Sequence, residues 1–140
     1  MYSVALSIHV LAAVFGAGQV LALFLVTVTR RRLALPTGST VPLLQRLLPL
    51  AARGFVALFV SGAILDFSSG RAFDHALWFR MSALLLLALG ILAGLAAREL
   101  RRQSRLAVSS PSALRGVERI FVGMSLLVGA AVVLMAVKPW

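Results

Sequence analysis

The sequence predicts an all-α protein, a transmembrane up-down-up-down four-helix bundle. Three observations carry that expectation. Of the 140 residues, 61% are hydrophobic and only 13% are charged, with a mean hydropathy of +1.00; a soluble domain of this size has too little interior for so much apolar surface. The apolar residues fall into four long runs, about 3–29, 43–67, 76–97 and 117–137, each near the ~20 residues a helix needs to cross hydrocarbon. None of the runs alternates in the manner of a strand, and all exceed the ~10 residues of a barrel strand.

The first run, from Ser3 to Thr29, ends at Arg30-Arg31-Arg32. It has no charged residue before it, so it reads as an uncleaved span and not as a signal peptide. Pro36, Gly38 and Pro42 are expected to break the first connection, with residues 41–52 starting as an interfacial piece before the second span inserts. Ser68-Ser69-Gly70 breaks the second connection. Ser109-Ser110-Pro111-Ser112 breaks the third and offers Ser110 or Ser112 as an N-cap. The whole chain, 1–140, is then one membrane domain with antiparallel neighbours.

Charge orients it. Arg30, Arg31, Arg32, Arg46 and Arg53 flank the first connection; Arg98, Arg101, Arg102, Arg105, Arg115 and Arg119 flank the third; only Arg71, Arg80 and Lys138 fall on the other side. The positive-inside rule makes the first and third connections cytoplasmic and both termini external, in an inner membrane if the source is bacterial. Tyr2, Phe73, Trp78 and Trp140 then sit at the outer interface. The net charge of +10 is explained by this asymmetry, so nucleic acid is not an expected partner; the lipid bilayer is. The absence of cysteine excludes disulfides and thiolate metal sites.

His9 is the first residue to weigh for function, because an ionisable group inside a span is costly. A neutral imidazole bonded to a nearby serine or carbonyl is one reading. A ligand to iron or copper is the other. Ala5, Ala12, Ala13 and Gly16 share its face and leave room for a flat cofactor. His75, the only other histidine, precedes the third span beside Asp74, so no buried histidine pair is in prospect. Haem iron also takes one histidine, or histidine with methionine, and Met81 and Met135 fall near the level of His9; copper handling would draw on His9, Met81 and Met135. Arg80 is placed to hold a carboxylate such as a haem propionate, with Asp66 and Asp74 as its alternatives within the chain. Arg53 shares a face with Arg46 and is expected to snorkel. Small residues recur at helical spacing: Gly16 with Ala12 and Ala13; Gly90 with Gly94 and Ala97; Gly116, Gly123 and Ala130. Such stripes favour close helix packing. Nucleophile–base sets, phosphate loops and intramembrane carboxylate chains are absent, so the sequence leaves open whether the protein is an enzyme.

Three short segments resemble a known group. Leu6-Ser7-Ile8-His9-Val10-Leu11-Ala12-Ala13-Val14-Phe15-Gly16-Ala17-Gly18 is similar to the opening of CopD-type and HemJ-type membrane proteins. Trp78-Phe79-Arg80-Met81 and Met135-Ala136-Val137-Lys138-Pro139-Trp140 resemble the group's third-helix start and its closing segment. The resemblance implies a small bundle that binds haem b or is linked to copper, with the first-helix histidine as ligand. The lysine that HemJ-type enzymes carry in the third helix is absent here; Arg80 or Met81 occupies its neighbourhood, and protoporphyrinogen oxidation is not carried over. The expected function is a b-type haem redox protein with His9 as axial ligand near the outer face, passing electrons or serving a quinone or other membrane redox partner, with a homodimer as one route to a second histidine. The rival expectation is an accessory subunit of a larger membrane complex.

Overall fold

The computed structural model describes residues 2–33, 37–71, 76–105 and 111–137, leaving aside the side chains of 2, 37–39 and 111–113. Four helices account for nearly all of them: α1, Tyr2–Arg32; α2, Thr37–Ser68; α3, Leu77–Arg105; and α4, Pro111–Val137. All four are long and apolar enough to cross a membrane, and the chain is an integral membrane protein. There is no strand among the described residues. Each helix packs on the next, and α1 also packs on α4, which closes a four-membered ring. Many leucines and valines lie on the outer surface of the helices, where a membrane bundle faces lipid.

The helices run past the apolar segments, because the arginines that flank each span continue the helix instead of ending it. Arginine is a good helix former, and basic groups in the last turns of α1 and α3 favour the carbonyl end of the macrodipole. The expected break at Pro42 is not there. Pro42 and Pro49 both lie inside an unbroken α2. Pro42 falls early in the helix, where the carbonyl it deprives, that of Gly38, is only the second of the element; in membrane helices such freed groups are re-satisfied locally. The break at Ser68-Ser69-Gly70 is as expected. Arg71 N–H bonds the Asp66 carbonyl at 2.9 Å and Gly70 N–H bonds that of Phe67 at 3.2 Å, the paired bonds of a Schellman ending. Gly70 has φ +70° and Arg71 φ +61°, and the former is where glycine is needed. α4 opens on Pro111, at the first-turn position that suits proline. The proposed caps at Ser110 and Ser112, together with Phe73, Asp74, His75, Lys138 and Trp140, lie outside the described residues or side chains.

The core occupies one half of the bundle. Val20 and Leu23 of α1, Leu44, Leu48 and Ala51 of α2, Ala93, Ala96 and Leu100 of α3, and Leu114, Val117, Phe121 and Met124 of α4 are all buried. All lie on the arginine-rich side of their helices or at the middle. Polar groups tie the same end. Arg30 and Glu118, both largely buried, pair at 3.5 Å between α1 and α4. The Gln45 side-chain amide donates to the Leu100 carbonyl at 3.1 Å between α2 and α3.

Candidate functional site in the opposite half of the bundle

The site is built on the crossing of α1 and α2. A Cβ on Gly54 would come within 3.0 Å of the Gly16 Cα, so the two backbones touch there and only glycine at 54 allows it. Gly16 was expected to leave space for a cofactor plane; instead its face is filled by Gly54 and the Phe55 ring. Seven residues back along α1 and seven forward along α2, antiparallel packing brings His9 opposite Ser61 and Gly62. His9 Nδ1 lies 3.0 Å from the Ser61 Oγ. A Cβ on Gly62 would meet the imidazole Cε1 at 3.2 Å, so Gly62 is the notch that seats the ring.

One tautomer fits this set of contacts. With Ser61 Oγ donating to the Leu58 carbonyl at 3.1 Å, the hydroxyl accepts from Nδ1–H; in that tautomer Nε2 keeps its lone pair, the state in which imidazole ligates a metal or accepts a hydrogen bond. Buried at 5% exposure, Ser61 is a fixed second partner and not a solvated one.

His9 lines a cavity of about 360 Å³ whose walls also include Gly62 from α2, Trp78, Phe79 and Ser82 from α3, and Met135 from α4. All four helices therefore contribute. The Trp78 and Phe79 rings meet edge to face, 6.0 Å apart at 87°. No charged side chain lines the cavity among the described residues. Leu6, Val10 and Phe59, which are also wall residues, are 40%, 51% and 60% exposed, so the walls they form reach the lipid-facing surface.

Of the residues singled out from sequence, His9 and Met135 meet on this cavity. Met81, one residue from the Phe79–Ser82 wall, points 40% exposed to the outside. Arg80 is exposed and engaged in an interaction of its own, and is not among the wall residues. Glycines 90, 94 and 116 have nothing within 4 Å of a Cβ among the described residues, whereas Gly123 of the same stripes meets Leu92 at 3.9 Å and Ala97 packs against the core. Among the described residues no group of three histidine, aspartate or glutamate side chains is assembled for a metal. Ser61, Gly62 and Gly54 are the site residues that sequence reasoning passed over. The signal was present as a matched spacing: His9 to Gly16 is seven residues, and so is Gly54 to Ser61. Comparisons with protein-family models, with curated proteins and with solved structures returned no match.

Proposed function

We propose that this protein is a small integral membrane haem-binding redox protein in which His9 is an axial ligand. One observation carries the reading: His9 is held through Nδ1 by a buried serine while its ring lines an apolar cavity that also receives Met135. A hydrogen bond to the far nitrogen is the usual way a ligating imidazole is fixed, and histidine with methionine is an established haem donor pair. The donor set therefore fits the group. In this reading Ser61 and Gly62 would orient the imidazole, Trp78 and Phe79 would exclude water, and Met135 would be available as a second donor. A bound haem supplies one-electron exchange; the chain supplies its orientation and its low-dielectric setting. The topology belonging to this reading has both termini on the outer face of a bacterial inner membrane.

Titration of purified protein with haem tests it. Wild type should develop a strong Soret band; His9→Ala should lose it while still inserting; Ser61→Ala should weaken retention by roughly ten- to a hundredfold. Equal haem affinity in wild type and His9→Ala removes His9 as ligand. A second reading is favoured by the uncharged walls that the described residues form: an uncharged, lipid-soluble molecule such as a quinone, accepted as a hydrogen-bond partner at His9 and reached sideways from the bilayer. Its volume suits the low end of small-molecule sites, about 300–1,000 Å³. A colourless protein that binds a quinone in a His9-dependent manner would select it.

A further inference from the structure

We propose that the outer surface of α2 is a docking seam for a transmembrane helix of another protein, one that carries a carboxylate at mid-membrane depth to pair with Arg53. The seam is separate from the His9 cavity and does not rest on the haem reading.

Spacing defines the seam. Leu50, Arg53, Ala57, Val60, Ile64 and Phe67 follow one another in steps of three and four, and all six are exposed. Such steps keep side chains in line on one face, the spacing by which a second helix packs along a first. The faces of α2 that meet the rest of the chain lie elsewhere: Gly54 and Ser61 toward α1, and Gln45 toward α3. The seam ends where the Arg71 guanidinium lies 5.4 Å over the Phe67 ring. Five of its six residues are apolar, as contact with lipid alone would allow. Arg53 is the exception.

Arg53 is one residue from the middle of the span Thr40–Ser68. Its neighbour Gly54 touches Gly16, which is near the middle of α1. Half of the ~30 Å hydrocarbon layer separates that level from either interface, farther than one arginine side chain reaches. At such a depth a guanidinium is normally turned into the bundle or paired. Arg53 is exposed on the outside and has no ion-pair partner among the described residues.

What covers it must bring a negative charge to mid-membrane. A phospholipid keeps its phosphate at the headgroup level. A second copy, inserted in the same orientation and docked through the same seam, sets Arg53 against Arg53. The carboxylates that a copy could offer from the described residues are engaged or hidden: Glu118 pairs with Arg30, Glu99 with Arg102 and Gln103, and Asp66 is 9% exposed. A transmembrane helix with one aspartate or glutamate at its middle supplies the charge at the right depth, with apolar side chains on both sides of it to lie along Leu50, Val60 and Ile64. Ala57, one turn from Arg53, is small enough to let that helix come close, so its carboxylate meets the guanidinium fork.

The experiment measures energy transfer between the labelled full-length protein in phosphatidylcholine vesicles and labelled leucine–alanine peptides of ~20 residues, long enough to span. One peptide carries a single central glutamate, its twin a central glutamine. Wild type should bind the glutamate peptide at least about tenfold more tightly than the twin, the worth of one charge-assisted contact. Arg53→Leu should bind the two alike, and Arg53→Gln repeats the test should Arg53→Leu fail to fold. Arg53→Lys should keep most of the preference. Ala57→Trp, which fills the seam, should weaken the glutamate peptide as well. Arg115→Gln, at an exposed arginine of α4, should change nothing. Equal binding of the two peptides to wild type would overturn the seam, as would a preference that persists in Arg53→Leu and Arg53→Gln. Self-association lost in Arg53→Leu, without any preference between the peptides, would overturn the assignment by giving the seam to a second copy.

Discussion

The two halves of the bundle are built to different rules. In the arginine-rich half, buried leucine, valine, alanine and phenylalanine side chains from all four helices interlock, and an ion pair and an amide bond pin helix to helix. In the His9 half no hydrophobic side chain beyond the level of Phe55 and Leu89 is buried among the described residues. There the helices meet through a glycine crossing, a histidine–serine bond and a cavity. Lipid tails are as apolar as leucine, so a membrane bundle gains little from hiding apolar area and depends on close packing and polar ties. One half spends its packing on holding the fold; the other gives packing up to keep a space open.

The sharpest way to break that contrast is to hollow out the packed half. Phe121→Ala, at a fully buried position, should cost about 3–5 kcal/mol in unfolding measured in mixed detergent micelles. Phe79→Ala, on the cavity wall, should cost far less while altering ligand affinity. Similar losses at both sites would erase the distinction. Next comes the crossing that separates the halves. Gly54→Val must push α2 off the Gly16 backbone, at about 1–3 kcal/mol, whereas Gly90→Ala, with nothing near its Cβ, should be neutral or slightly stabilising by its helix propensity. Glu118→Gln should follow at about 1–3 kcal/mol, because a largely buried guanidinium loses its carboxylate. Ser61→Ala should be the smallest in stability, about 1 kcal/mol, while the proposed haem site would expect a larger effect on haem retention; a stability loss equal to that of Phe121→Ala would make the His9–Ser61 bond a fold element and not a site element.

The same division explains what sequence could tell. Four apolar runs and their flanking arginines carry the helices and the span count, because bilayer thickness imposes a length on each run. His9 announces itself because a polar group in hydrocarbon is conspicuous. Gly54, Ser61 and Gly62 do not: each is ordinary in a membrane helix, and its role exists only once α2 is set antiparallel to α1 in one register. Gly90 and Gly94 illustrate the reverse. Their spacing is that of a packing motif, yet they face away from the chain, since a motif names a smooth face and not the direction in which it points. Pro42 failed as a stop for a related reason: proline penalises the carbonyl four residues back, and near a helix start few such bonds exist to lose.

The Arg30–Glu118 pair has a consequence for how the protein is made. Arg30 lies in the last turn of α1 and Glu118 in the first half of α4. Between them the chain must emit two further spans before the arginine meets this carboxylate. The ring is thus fastened between α1 and α4 only once α4 is in place, and a chain stopped before α4 leaves Arg30 without this carboxylate.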